Sequence, residues 1–144
     1  MKAETNFINN VETILGLVLN QNFDGWQEVT SQSGRRQVIK YIVDFGIKNR
    51  LMGFADNLTS LVTGYWEYLD AKKELQNSSN WLEKMQLDYP FSPTTTFWQA
   101  IKLQEGNVRN RRKDVRRCFH SMRIYNIWVT NSIRRHVELN RFIF

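Results

Sequence analysis

Residues 107–123 have the sequence NVRNRRKDVRRCFHSMR, in which seven Lys or Arg residues accompany one acidic residue, Asp114. Apolar residues recur at the spacing of one helix face, at Val108, Val115, Phe119 and Met122. A second face collects Arg109, Lys113, Arg116, His120 and Arg123, with Arg112 beside it. The stretch therefore predicts an amphipathic helix with an apolar face toward a core and a cationic edge about 21 Å long.

The same helical periodicity recurs on the N-terminal side of this stretch. It predicts a helix over 5–20, a second that follows the SQSG sequence of 31–34, and a break near 49–56, where Gly46 and Gly53 weaken the pattern. A third helix is expected from Asp56 or Asn57 to about Leu75. The NSSN sequence of 77–80 suggests a loop, with Ser79 capping a further short helix.

Both prolines lie in 87–96, which indicates an irregular connection before the last helical region. Thr94 to Thr96 offer an N-cap for that region, which is expected from 97 to about 140. It is either continuous or broken at Gly106–Asn107 and near 125. Because no strand alternation or internal repeat is present, the sequence predicts an all-α single-domain bundle of four to six helices over 1–144, with a strongly basic helical segment at 107–144.

Composition restricts the class of protein. Hydrophobic residues make up 42% and aromatic residues 13% of the chain, which excludes a disordered protein and is enough for a core. No apolar run approaches the ~20 residues of a membrane helix, and the N-terminal residues lack the pattern of a secretory signal. The lone Cys118 excludes an internal disulfide and suits a reducing compartment. We expect a soluble, cytoplasmic protein with no membrane partner.

Positive charge is concentrated in the last quarter of the sequence. Residues 1–106 carry ten Lys or Arg against twelve acids, whereas 107–144 carry ten against two, nine of them Arg. Because arginine bonds phosphate oxygens bidentately, this segment predicts a surface that binds RNA or DNA through the backbone without reading bases. The predicted contacts are Arg109, Arg111, Arg112, Lys113, Arg116, Arg117, His120, Arg123, Arg134 and Arg135, with Arg35 and Arg36 at a secondary patch near Lys40. The alternative is a solvated charged face.

Aromatic residues lie among these cations, at Phe97, Trp98, Phe119, Tyr125 and Trp128. At helical spacing, core packing is the expected role of most of them. An exposed ring could instead stack on an unpaired base. Tyr125 is the favoured candidate because it lies close to Arg123 and its hydroxyl tolerates water.

No catalytic or metal-binding pattern emerges. His120 and His136 have neither a second histidine nor a cysteine at metal-ligand spacing. Neither is preceded by an arginine with four to six residues between the two, which is the pattern of helical ribonucleases of the higher-eukaryote-and-prokaryote nucleotide-binding class. Glu67, Asp70 and Glu74 share a helix face that the adjacent lysines mark as solvated. Cys118 is either a small buried residue or a thiol whose pKa is lowered by Arg117. We expect no cofactor, no metal and no catalytic activity, although an enzyme with an unrecognised site stays open.

In length, predicted helicity and charge distribution, the chain resembles the small subunit of CRISPR RNA-guided effector complexes. The resemblance implies an oligomeric subunit of a ribonucleoprotein, stacked along nucleic acid that Arg109, Arg112, Arg116 and Arg123 hold non-specifically. A helical nucleoprotein or coat protein is an alternative, since the terminal NRFIF sequence would suit self-association as well as docking on its own core. A second alternative is an interaction module whose basic face binds an acidic protein. The sequence does not separate RNA from DNA, or single from double strand.

Overall fold

The computed structural model describes residues 29–138, and side chains as far as residue 132. This part of the chain contains three α-helices, α1 (Gln32–Asn49), α2 (Met52–Asp88) and α3 (Thr95–Glu138), and a 3-10 turn at Tyr89–Phe91. Since it contains no strand, the all-α prediction is confirmed. The helix predicted over 5–20 and the NRFIF tail lie outside the described residues.

Helix α1 begins and ends with defined caps. The Ser31 side chain accepts a hydrogen bond from the Gly34 amide at 3.1 Å, so the helix starts within SQSG as an N-capped turn. At the other end Arg50 adopts the left-handed conformation (φ 56°), and the Leu51 amide donates to the Gly46 carbonyl at 2.8 Å. The predicted break near 49–56 is confirmed. It occurs at Arg50 and not at a glycine, because Gly46 and Gly53 are both helical.

Helix α2 is continuous through the NSSN sequence, so the predicted loop and the separate short helix are wrong. Gln76 Nε2 donates to Asn80 Oδ1 at 2.8 Å across this segment. Leu75, Leu82 and Met85 continue the apolar side of the helix past it, with Met85 buried. Packing of these side chains outweighs the weak helix propensity of four Asn and Ser residues.

The proline-containing connection is shorter than predicted. After the 3-10 turn, Thr94 caps α3, since its hydroxyl accepts a hydrogen bond from the Phe97 amide at 3.1 Å. The Thr94 N-cap prediction is thereby confirmed. Helix α3 then runs unbroken through Gly106–Asn107 and residue 125, which selects the continuous alternative.

The described residues divide into two compact units. The first contains 29–65 and 122–138, and the second contains Trp66–Ser121. Core side chains of the first unit include Ile42, Leu58, Leu61, Val62, Tyr65, Met122 and Val129, and those of the second include Trp66, Tyr68, Met85, Ile101 and Val108. No helix in the described range has the length and apolar content that crossing a membrane requires.

Candidate nucleic-acid interface

The cationic edge predicted for α3 is present in the second unit. Val108 is buried and Val115 and Phe119 are partly buried, which fixes the orientation of the helix. The residues of the opposite edge are all exposed: Arg109, Arg112, Lys113, Arg116 and His120. We call these five residues the cationic row. Its members lie three or four residues apart or beside one another on a regular helix, so successive side chains of the row recur about every 5.4 Å.

Most of the cationic row has no acidic partner among the described residues. In the described part of the chain, no acidic side chain forms an ion pair with Arg109, Arg112, Lys113 or Arg116. Unpaired, solvated guanidinium groups at one edge of a helix present their hydrogen-bond donors to the solvent. Among the described residues, no acid competes with an anionic ligand for these four side chains.

Two of the arginines predicted to contact nucleic acid form ion pairs with acidic side chains. Arg111 Nη2 lies 3.5 Å from Glu74 Oε2 on α2, and Arg117 Nη2 lies 3.2 Å from Asp114 Oδ1 on α3. Both arginines remain exposed. Exposed ion pairs contribute only ~0–1 kcal/mol, so each pair opens at little cost, although its carboxylate competes with a phosphate for the arginine.

Arg111 and Asp114 lie on a flank of α3 that faces α2 within the second unit. Together with Ser78, Asn107 and Asn110 they line a polar cleft of about 300 Å³. At the same flank, Gln104 Nε2 donates to the Ser78 carbonyl at 3.0 Å and joins the two helices. Residues of this flank therefore contribute to the packing of α2 against α3.

The remaining predicted cations are distributed elsewhere. Arg123 is exposed on the part of α3 that belongs to the first unit. Arg134 and Arg135 are helical in backbone, but their side chains lie outside the described residues, as does that of His136. On α1, Arg35 Nε donates to the Val29 carbonyl at 2.8 Å.

Arg36, the other predicted residue of that secondary patch, is exposed, and its Nη2 donates to Gln32 Oε1 at 3.3 Å. Arg35 is half-buried and its guanidinium donates to the Val29 carbonyl. The predicted patch at the start of α1 therefore has Arg36 and Lys40 as its exposed cations.

The aromatic residues among the cations have different surroundings. Phe119 packs against buried Tyr68, with ring centroids 5.7 Å apart, so it belongs to the core. Tyr125, the favoured stacking candidate, is half-buried with its ring edge-on to Trp128 at 5.5 Å. Trp98 is 46% exposed and carries Lys102 Nζ 5.2 Å from its ring centroid.

Trp98 also lines a cleft of about 280 Å³ with Tyr89, Pro93 and Thr95. Tyr89 stacks on Phe97 with 10° between the ring planes. Sequence reasoning placed Trp98 among the candidates but favoured Tyr125. The signal that points to Trp98 is its position 11 residues, about three helical turns, before Arg109, which puts it on the same edge of α3.

Cys118 is the described titratable residue whose pKa is clearly shifted. Burial raises the pKa of the Cys118 thiol, and the Glu67 carboxylate raises it further, against a lowering by Arg117. The suggestion that Arg117 lowers this pKa overall is therefore wrong. Within 29–132, no group of three His, Cys, Asp or Glu side chains is arranged to hold a metal ion. Of the three carboxylates that share a face of α2, Glu74 forms an ion pair with Arg111.

No protein-family model, no curated protein and no solved structure matches this chain. What the molecule binds is therefore inferred from the charge and geometry of its own residues.

Proposed function

We propose that this protein is a non-catalytic nucleic-acid-binding helical subunit that holds a phosphate backbone along α3. The observation that carries the proposal is the cationic row. Its three arginines and one lysine are exposed, and no acidic side chain of the described residues forms an ion pair with them. Leaving like charges one helical turn apart destabilises a helix slightly. An anionic ligand that lies along the helix removes this repulsion.

Nucleic acid fits the row better than other anions do. A nucleic-acid strand supplies closely and regularly spaced negative charges, about one per 3.4 Å of each B-DNA strand. The planar guanidinium groups of Arg109, Arg112 and Arg116 match phosphate oxygens bidentately. No strand or short recognition helix in the described range presents a base-reading surface, so the proposed binding is independent of sequence.

The proposal also includes assembly with other subunits or with further copies of the chain, as the resemblance to the small subunits of CRISPR effector complexes implies. Large apolar side chains that are mostly exposed in this structure support it: Ile47, Leu87, Phe91 and Leu103. A partner that covers such side chains removes apolar surface from water, which would stabilise an assembly. Size-exclusion chromatography with light scattering, with and without nucleic acid, tests this part, and a monomer in both states would contradict it.

The direct test measures how binding depends on salt. A labelled oligonucleotide is titrated with protein at several salt concentrations, and the slope of log K against log[salt] reports the number of phosphate contacts. Replacing Arg109, Arg112 and Arg116 by Ala is expected to reduce the slope by about two to three units and to leave folding intact, because all three side chains are exposed.

The matched control replaces three exposed lysines that lie outside the row, Lys48, Lys73 and Lys84, by Ala. Both triple variants lose three positive charges, so a difference between them isolates the row from the net charge. Equal slopes for the wild-type protein and the arginine variant would contradict the proposal. Competition by polyglutamate as effective as that by the oligonucleotide would favour an acidic protein as partner.

A further inference from the structure

The exposed edge of α3 extends beyond the cationic row toward the start of the helix. Counting back from Arg109 in helical steps reaches Glu105, Lys102 and then Trp98, all within the second unit. From Trp98 to His120 this edge is about 33 Å long at 1.5 Å per residue. A strand whose phosphates follow the row toward the N-terminus of α3 therefore passes over Trp98.

The cleft beside Trp98 has two aromatic residues in its lining. Tyr89 and Trp98 line it together with Pro93 and Thr95. The Tyr89 ring is held in place by parallel stacking on Phe97, with centroids 6.0 Å apart. Flat rings that are already positioned lose little conformational entropy when another flat ring enters, which is the requirement for stacking a base.

The start of α3 favours an anionic ligand at the cleft, whereas the charge of Lys102 is paired with Glu105. Lys102 Nζ lies over the indole of Trp98 and also 3.5 Å from Glu105 Oε2. The first turn of α3, which contributes Thr95 and Trp98 to the cleft, contains no acidic residue. The positive end of the helix dipole is therefore not neutralised by side chains of that turn.

We propose that the cleft at Trp98 takes one unpaired nucleobase, so that the ligand of the cationic row is single-stranded RNA or DNA in preference to an intact duplex. The inference rests on the proposed function, because the row must hold the phosphates of the same strand. Bases of a duplex are already paired and stacked, and one of them must be extruded before it can enter the cleft. A base of a single strand enters without that cost.

The test uses fluorescence anisotropy with labelled oligo(dT), oligo(U) and a duplex, each about 12 nucleotides or base pairs long, within the range of known single-strand sites. Trp98→Ala is expected to weaken binding of both single strands about 5- to 150-fold, the equivalent of ~1–3 kcal/mol for one stacked base. Duplex affinity and the salt slope stay unchanged, because no phosphate contact is removed. Trp98→Phe retains an aromatic face and most of the affinity.

The matched control is Trp81→Ala. Trp81 is 55% exposed and has Lys84 Nζ 5.5 Å from its ring centroid, but it does not line the cleft. This variant is expected to bind all probes as the wild-type protein does. An oligo(dT) with abasic sites at its centre supplies a second control: it weakens binding to the wild-type protein and leaves binding to Trp98→Ala unaltered.

The outcomes separate this inference from the proposed function. If the wild-type protein binds neither strand nor duplex, both are overturned. Binding that follows the salt dependence of the row but is insensitive to Trp98→Ala overturns only the stacked base. An equal loss of single-strand and duplex affinity in Trp98→Ala also overturns it, because a stacking site for an unpaired base does not act on a duplex.

Discussion

Arg111 Nη2 lies 3.5 Å from Glu74 Oε2, which joins the most basic stretch of α3 to α2 within the second unit. The pair is exposed, so it contributes little to folding. If the proposed function holds, the pair affects binding, since Glu74 neutralises a cation on the flank of the helix that carries the cationic row. Glu74 therefore competes with any phosphate for Arg111.

Glu74→Gln is expected to strengthen nucleic-acid binding and to increase the salt slope by up to about one unit, because Arg111 then meets a phosphate. The free energy of unfolding should change by less than ~1 kcal/mol. Glu83→Gln is the control, because it makes the same charge change at another exposed position of α2. If the two variants bind equally well, only net charge matters and the competition for Arg111 is contradicted.

The fold could be predicted where periodicity and capping agree. The helical spacing of 107–123 and the cap at Thr94 both correspond to what the structure shows. The NSSN segment could not be predicted, because local propensity favours a loop, whereas packing of Leu75, Leu82 and Met85 favours a continuous helix.

The exposure of the cationic row could be predicted from the sequence, but the contacts between different helices beside it could not. The periodicity of α3 places Arg109 and Arg116 away from the core, as observed. The pairing of Arg111 with Glu74 joins residues distant in sequence, which no helical pattern of one segment contains. The cleft at Trp98 likewise depends on Tyr89, across the proline-containing connection.

Adding a methyl group at Gly46 and at Gly64 is expected to change the stability of the protein in opposite directions. A Cβ atom at Gly46 would lie 2.5 Å from the Ala55 Cβ, so α1 and α2 approach closely there in the first unit. Gly46→Ala is therefore expected to destabilise the protein by about 1–3 kcal/mol, the usual cost of overpacking. At Gly64 no atom lies within 4 Å of such a Cβ, and Gly64→Ala should stabilise α2 by about 0.5–1 kcal/mol. Urea unfolding checks both, and the same sign for the two variants would contradict the close approach.

Arg50 is in the left-handed region at the end of α1, where a side chain is strained and glycine is not. Arg50→Gly is expected to keep the hydrogen bond from Leu51 to Gly46 and to raise the melting temperature, with a gain of up to about 1 kcal/mol. Arg50→Ala, which removes the charge but keeps the Cβ, is the control. A melting temperature of Arg50→Gly at or below that of Arg50→Ala would contradict the strain.

The Cys118 thiol is predicted to react slowly with iodoacetamide at neutral pH. Burial raises its pKa, as do the carboxylates of Glu67 and Asp114, so the reactive thiolate is scarce until the pH exceeds the usual range of a cysteine, near ~8.5. Because the pKa in the folded protein lies above that in the unfolded chain, the free energy of unfolding should fall as the pH rises from the unfolded to the folded value. Cys118→Ala should remove this fall.

Two variants test the cause of the shift in the pKa of Cys118. Glu67→Gln removes a neighbouring negative charge, so it should lower the pKa and speed alkylation at a fixed pH. Arg117→Ala removes a positive charge and should raise the pKa and slow the reaction. The pH dependence of the alkylation rate, measured for both variants beside the wild-type protein, gives the order of the three pKa values. Any order other than Glu67→Gln lowest and Arg117→Ala highest contradicts the electrostatic part of the shift.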